Sequence, residues 1–470
     1  MTLTESGLIE ADVLERVLAA ALRSGGDFAE VYAEDRAMTA ISLDDRRVEE
    51  LSSGHMRGAG IRVVSGETTG FAHTADLSEE GLLAAALAAS AIARSGAGGR
   101  RQVALSESRA TPPNDVRIHP AQVAKAAKVE LLQRADDVAR STSGSVVQVS
   151  ASYADSRRRF LVANSEGLLT GDDQVRTRFS VRCVSSGDTG LQTGFESEGL
   201  TIGFELLDGD TVERLTNEAV RRALTKLKAR PAPAGVLPVV IKSGSGGILF
   251  HEACGHGLEA DHIVKESSVY AGRLGELVAS PLVTLVDDGT AGPNWGSYAV
   301  DDEGRPARRN VLIENGVLVD YMWDDMSARK VGRASTGNGR RESYQHLPMA
   351  RMTNTFLLQG EEDPDEIVAQ TPEGVYVAAL GGGQVNTATG DFVFGMTEAY
   401  MIENGEITEP IRDANLIGNG PDVLARVDAV ANDFGMSPGT CGKDGQSVPV
   451  GCGQPTLRVT GVTIGGTAGA

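Results

Sequence analysis

The chain has 470 residues, enough to bury a large core and to form two or more domains. Its formal net charge of −20 disfavours nucleic-acid partners and anionic membrane surfaces, which would repel it. Hydrophobic residues make up 41%, an ordinary globular share, while 57 Gly and few aromatics predict many turns and short strands.

Cys183, Cys254, Cys441 and Cys452 show no CxxC spacing, and so few cysteines in so long a chain argue for a reducing compartment. Residues 1–15 are polar and acidic, without the basic start and apolar run of a signal peptide. No stretch approaches the ~20 apolar residues that span a bilayer. These features predict a soluble cytoplasmic protein.

Residues 12–23 read as an amphipathic helix, with Val13, Leu14, Val17, Leu18, Ala21 and Leu22 on one stripe. Strands are expected at 28–33, 38–43, 58–64 and 70–73, then a helix over 78–95 with Ser78 as N-cap. The order recurs as a helix over 120–140, strands at 146–155, 158–164, 177–184 and 194–195, and a helix over 211–228. Thr69-Gly70-Phe71 returns as Thr193-Gly194-Phe195. The fold class expected is α+β, beginning with a duplicated unit: an antiparallel sheet with four helices on one face. His55, His73 and His119 are isolated and read as residues without chemistry. Arg157-Arg158-Arg159 reads as a solvated hairpin turn, and Cys183 as a small core residue. The Pro- and Ala-containing stretch 229–235 reads as a semi-rigid linker. It divides an N-terminal domain, 1–228, from a β-rich C-terminal domain, 236–470.

A strand at 237–241 then leads through a Gly- and Ser-containing turn into Phe250-His251-Glu252-Ala253-Cys254-Gly255-His256-Gly257. Neutral imidazoles bind divalent metals well, zinc especially. Zinc-peptidase helices usually carry two His four apart, with Glu after the first as general base. Here the spacing is five. On a straight α-helix five residues turn the side chains about 140° apart, against about 40° for four. The helix must therefore bulge or break between them, and Gly255 is the expected point of distortion. The competing reading is an accidental cluster of core histidines. Cys254, Glu259, His262 and the distant Cys441 are all candidates for a third ligand.

Further strands are expected at 282–287, 311–314, 317–323, 353–359, 375–380, 399–402 and 456–462, with short helices at 362–370 and 421–433. Asn315-Gly316 and Asn404-Gly405 are hairpin signals. Turns at this density predict antiparallel sheets or a barrel-like arrangement. Two polar segments stand out. One is Gly337-Asn338-Gly339-Arg340-Arg341-Glu342-Ser343-Tyr344, rich in donors. The other surrounds Cys441, where glycines allow close backbone approach and Lys443 favours a thiolate. Cys452 has a similar Gly setting.

Taken together, these stretches resemble the TldD/PmbA family (also TldD/TldE) of metallopeptidases. The resemblance rests on His251-Glu252-Ala253-Cys254-Gly255-His256 and Ser335-Thr336-Gly337-Asn338-Gly339-Arg340-Arg341. It extends through Pro348-Met349-Ala350-Arg351-Met352-Thr353-Asn354 and Cys441-Gly442-Lys443-Asp444-Gly445-Gln446-Ser447-Val448-Pro449-Val450-Gly451, to Gly465-Gly466-Thr467-Ala468. Because the metal motif is present, the chain resembles the TldD branch and not its TldE partner branch. The resemblance implies Zn²⁺ held by His251, His256 and Cys441, with Glu252 as general base. It implies cleavage of short or unfolded peptides inside a heterodimer with a TldE/PmbA-like paralogue. Tyr344 or His346 is expected to donate to the oxyanion, and Arg340 and Arg341 to bind the substrate backbone or a terminal carboxylate. A non-catalytic peptide chaperone or adaptor with a structural metal is the leading alternative, and a thiol-based hydrolase using Cys254 or Cys441 with a His is the second.

Overall fold

Side-chain alternation in one long strand explains how the N-terminal half is built. The computed structural model describes residues 8–93, 102–386 and 388–466; the expectations at 1–7, 94–95 and 467–468 lie outside the described residues. Strand β1 (Phe28–Asp44) buries Ala29, Val31, Ala33, Ile41 and Leu43, all odd-numbered, in two apolar clusters. The first cluster is completed by α1 (Ala11–Ala21) and α2 (Glu79–Ile92), the second by α3 (Lys125–Thr142) and α4 (Thr211–Leu227). All four helices therefore cover one face of the sheet. The even-numbered Glu30, Tyr32 and Glu34 are also buried, but against the C-terminal half.

The remaining strands are β2 (Arg47–Ser65), β3 (Thr68–Thr74), β4 (Val146–Asn164), β5 (Leu168–Gly187) and β6 (Gly190–Leu200). They pair antiparallel in the order β3-β2-β1-β4-β5-β6. The unit helix, three strands, helix thus occurs twice, and the first strands of the two copies pair at the centre. The repeated Thr-Gly-Phe marks an equivalent contact in each copy. A Cβ on Gly70 would lie 2.0 Å from the Ala89 carbonyl oxygen of α2, and one on Gly194 1.9 Å from the Ala219 oxygen of α4. Only glycine lets helix and strand approach so closely.

Two sequence expectations are corrected here. Strands 28–33 and 38–43 are one strand, and so are 146–155 and 158–164. Arg157-Arg158-Arg159 is consequently not a turn. Arg158 points into the protein, 3.0 Å from Glu34 and 2.9 Å from Asp302 of the C-terminal half. Polar residues in mid-strand imitate a loop when their partners come from elsewhere in the chain.

The C-terminal half contains two β systems. Strands β7 (Gly235–Ile241), β11 (Glu373–Val385), β12 (Asp391–Glu403), β14 (Asn415–Asn419) and β18 (Leu457–Gly465) pair in the cycle β11-β7-β18-β14-β12-β11, a small closed barrel. Strand β13 (Glu406–Arg412) extends it beside β12, and β15 (Val427–Val430) pairs with β18. The second sheet runs β9-β8-β10-β17-β16, with β8 (Leu285–Asp288), β9 (Arg309–Glu314), β10 (Asn354–Leu357), β16 (Gly435–Lys443) and β17 (Gln446–Gln454). Asn315-Gly316 and Asn404-Gly405 turn with both φ positive, as expected of tight hairpins. Asp444-Gly445 does the same between β16 and β17. The 229–235 stretch is strapped down: Arg230–Pro231 pairs beside Ile411–Arg412, and Ala232 is fully buried.

Buried ion pairs join the halves. Arg62 lies 2.8 Å from both Glu30 and Glu303, and Arg341 lies 2.5 Å from Glu30. Among the described residues no helix is long and apolar enough to cross a membrane.

Substituting Gly194 by Ala should lower the thermal midpoint, at a cost of about 1–3 kcal/mol from overpacking. A Cβ on Gly144 meets nothing within 4 Å. Gly144→Ala should therefore leave the melt nearly unchanged, and equal melts for the two variants would contradict the helix–strand contact.

Candidate metal centre

The helix that follows β7 changes its winding at the motif. It starts as an α turn, α5 (Gly247–Phe250), becomes π-helical over His251–Gly255, and closes as a 3₁₀ turn over His256–Leu258. The backbone N–H of His256 donates to the carbonyl of His251. This five-residue turn does for residues five apart what an α turn does for residues four apart. Both rings consequently face one point, with centroids 5.2 Å apart and planes at 81°. The distortion is spread over the whole turn and is not a break at Gly255, whose φ and ψ of −55° and −51° are ordinary helical values. Gly255 is required for another reason: a Cβ there would lie 2.1 Å from the Met352 sulfur. Gly247 is similar, since its Cβ would lie 2.3 Å from the Gly453 nitrogen, so α5 rests directly on β17.

Cys441, on β16, completes the group. One ligand atom each from His251, His256 and Cys441 lies within 4.8 Å of the other two, and all three residues are buried. The Cys441 sulfur is 3.4 Å from His256 Nε2. Tetrahedral zinc, at ~2.3 Å from sulfur and ~2.1 Å from nitrogen, would hold such atoms about 3.6 Å apart. The donor set therefore fits a zinc-sized ion. Burial opposes charge on Cys441, but the rings of His251 and His256 hold its thiol well below the ordinary range. Burial also opposes charge on His251, yet the sulfurs of Cys452 and Cys441 raise it.

The other ligand candidates separate clearly. Cys254 packs beside Tyr270, and burial pushes its thiol up to about 12. Glu259 accepts from His256 Nδ1 at 3.0 Å, which leaves Nε2 facing the sulfur. Burial would lower the His256 pKa, but Glu259 and Cys441 raise it to about 10. Carboxylates placed this way fix the tautomer and orientation of a ligating ring. Lys443 braces Glu259 at 3.0 Å and Asp261 at 2.6 Å, so its ammonium neutralises the carboxylates beside His262. Cys452 touches His251 but stands outside the three-residue group. Glu252 is part-exposed, with its carboxylate 3.8 Å from His256 Nε2.

A cleft of about 600 Å³ is linked to this group through Cys452, which lines it and touches His251. Cys452, Ile248, Leu380 and residues 437–439 of β16 form one wall, and Arg178, Arg182 and Arg222 contribute from the N-terminal half. β16 is the outermost strand of its sheet, so one of its edges is unpaired. Arg340, Arg341, Tyr344 and His346, expected to contact substrate, do not line this cleft. Arg340 donates to the carbonyls of Met352 and Pro449, at 2.5 and 2.7 Å. Arg341 is committed to Glu30, and Tyr344 packs with Tyr32 and Phe160 between the halves. His346 Nδ1 meets the Ser343 hydroxyl at 2.9 Å. Their donors read as substrate contacts in the sequence; in the fold Arg340, Arg341 and Tyr344 are buried.

Sequence reasoning missed Glu259 and Lys443 as supports for His256. Their signal was available: an acid three residues after the second His, and a lysine two residues after the Cys.

Comparisons with known proteins identify the family. Family models for the PmbA/TldA metallopeptidase domain 1, central domain and C-terminal domain match residues 29–93, 118–227 and 234–466. The chain is 42% identical to the metalloprotease TldD homolog of Haemophilus influenzae, over 94% of this chain and 93% of that one. It is 37% identical to a metalloprotease of Methanothermobacter thermautotrophicus, over 98% of each chain. Its fold is similar to a putative modulator of a DNA gyrase from Thermotoga maritima, with TM-score 0.81, 21% identity, and 97% and 99% of the two chains covered. TldE from Thermococcus kodakarensis is similar too, with TM-score 0.76, 21% identity, and 96% and 99% covered. The chain belongs to the TldD/PmbA family of metallopeptidases.

Proposed function

We propose that this chain is a zinc-dependent peptidase that hydrolyses short or unfolded peptides. Its N-terminal domain over 1–228 and its catalytic domain over 236–470 would be joined by 229–235. The observation that carries this reading is the convergence of His251, His256 and Cys441 beside Glu252, with Cys452, which touches His251, lining a cleft bordered by the edge strand β16.

His251 Nε2 or Nδ1, His256 Nε2 and the Cys441 sulfur would hold the ion. When bound, zinc polarises a carbonyl and acidifies water. The rest of the chemistry belongs to the chain. A peptide lying extended along β16 forms main-chain hydrogen bonds with it, which recognises backbone and not side chains. Glu252 takes a proton from the attacking water as its oxygen bonds to the scissile carbonyl carbon. The same carboxylate returns that proton to the amine nitrogen as the C–N bond breaks. Glu259 keeps the His256 ring in register, and Lys443 keeps Glu259 charged.

A cytoplasmic setting suits the four free cysteines, all buried and none in a disulfide. Similarity to a TldE structure supports assembly with a TldE/PmbA-like paralogue as a heterodimer. The reading with a structural metal has one observation in its favour, the Cys452 sulfur beside His251, which would close the site as a fourth ligand.

Glu252→Gln should abolish cleavage of an unfolded peptide while zinc content, measured by atomic emission, stays at the wild-type level. Retained cleavage would remove Glu252 from the mechanism. Cys441→Ser should strip zinc and Cys452→Ser should not; the reverse pattern would favour the closed, structural site. Glu259→Gln should weaken zinc about 10–100-fold in chelator competition, and unchanged affinity would deny the carboxylate its orienting role.

A further inference from the structure

A second cavity, of about 230 Å³, lies between the two halves and shares no lining residue with the Cys452 cleft. Arg36, Arg158, Arg176, Arg340 and Arg341 line it, and Glu342 is the one acidic residue in its wall. Arg36 and Arg158 sit directly opposite each other on β1 and β4, an arrangement of like charges that costs stability. Two of the five guanidiniums are neutralised within the protein. Arg158 pairs with Glu34 and Asp302, and Arg341 with Glu30.

The other three have no such partner. Arg176 donates to the carbonyls of Trp295 and Ser297 and to the Gln174 side chain. Arg340 donates to two carbonyls. Among the described residues no carboxylate lies within 4 Å of Arg36, Arg176 or Arg340, in a chain of net charge −20 with acids to spare. Glu342 is occupied by the backbone N–H of Ser447. Several donors in the wall lack a protein acceptor: Arg36 Nε, Arg341 Nε and Nη1, and Trp295 Nε1. Burial, with Arg340 and Arg158 nearby, pushes the Arg176 pKa down to about 9 against the attraction of Asp172. Burial also lowers those of Arg36 and Arg340, although Glu34 and Glu342 act on the first and Asp302 on the second from beyond ion-pair distance. Buried charge without an ion-pair partner is unfavourable, and an anion from outside would offset that cost.

We propose that this cavity is a binding site for a small oxyanion, a carboxylate or a phosphate group. Guanidinium forks match both groups in a bidentate fashion. Thr440 lines the cavity and immediately precedes Cys441. Strand alternation therefore puts the anion on one face of β16 and the metal-ligating sulfur on the other. An occupant stiffens β16 and the join between the halves.

The test uses the full chain loaded with zinc, at constant ionic strength in chloride. Inorganic phosphate, N-acetylglycine and N-acetylglycinamide are titrated by calorimetry and by thermal melting. A saturable rise in midpoint with phosphate or N-acetylglycine, and none with the amide, is expected. Preference for N-acetylglycine over phosphate identifies a peptide carboxylate as the source; the opposite preference identifies a free phosphate. Arg176→Gln should weaken the preferred anion at least tenfold. Arg36→Met should raise the melting midpoint of the anion-free protein, because it removes an uncompensated charge. No saturable binding of either anion by the unaltered chain would overturn the proposal, as would equal binding after Arg176→Gln. A fall in the anion-free midpoint of Arg36→Met would also count against it, since it would make that arginine a structural support.

Discussion

One backbone hydrogen bond decides the geometry of the candidate metal centre: the His256 amide donates to the His251 carbonyl across five residues. With an α turn in its place, the two rings would diverge by about 140° around the axis. The π turn is the less favoured winding and is rarely seen beyond a single turn. It persists here because its surroundings are shaped to it. Met352 fills the space beside Gly255, β17 presses against Gly247, and Glu259 holds the second ring from behind. Each of these contacts would be lost or would clash if the helix rewound.

The sequence exposes the need for this distortion but not its form. A five-residue spacing between histidines is incompatible with a straight helix, which any reading of His251 and His256 reveals. Whether the chain answers with a break at glycine or a smooth π turn depends on Met352, about a hundred residues away. The same holds for the third ligand. Cys254, Glu259, His262 and Cys441 are equally plausible as residue types, and only tertiary placement separates a sulfur facing two rings from one facing Tyr270.

Legibility in the fold follows the same rule. Turns with local chemistry, such as Asn315-Gly316 and Asn404-Gly405, are readable because their positive φ values demand those residues. The amphipathic stripes of α1 and α4 are readable because one face of each helix is apolar. The duplication is readable from Thr-Gly-Phe, because an identical close contact constrains both copies. Illegible are the strands whose second face is buried in polar contacts. β1 and β4 carry Glu30, Glu34, Arg36 and Arg158 inward, where charges of the other half meet Glu30 and Arg158. A period-two pattern of apolar and polar residues normally means one dry face and one wet face. Here the polar face is dry as well, so the long strands looked like short ones interrupted by loops.

That polar interior also explains why so much depends on the hairpin of β16 and β17. Its turn, Asp444-Gly445, fixes the pairing of Cys441 with Val448 and of Thr440 with Pro449. A slip of one residue would exchange the faces of the strand. Cys441 would leave the histidines and enter the arginine-lined cavity, while Thr440 would take its place beside the rings. Arg351 opposes such a slip by donating to the Cys441 carbonyl, and Arg340 by donating to that of Pro449. Both are buried guanidiniums spent on main-chain oxygens, a costly use of charge unless strand register itself is at stake. The arginines of this segment therefore act on the candidate metal centre without touching it: they set which face of one strand the sulfur occupies.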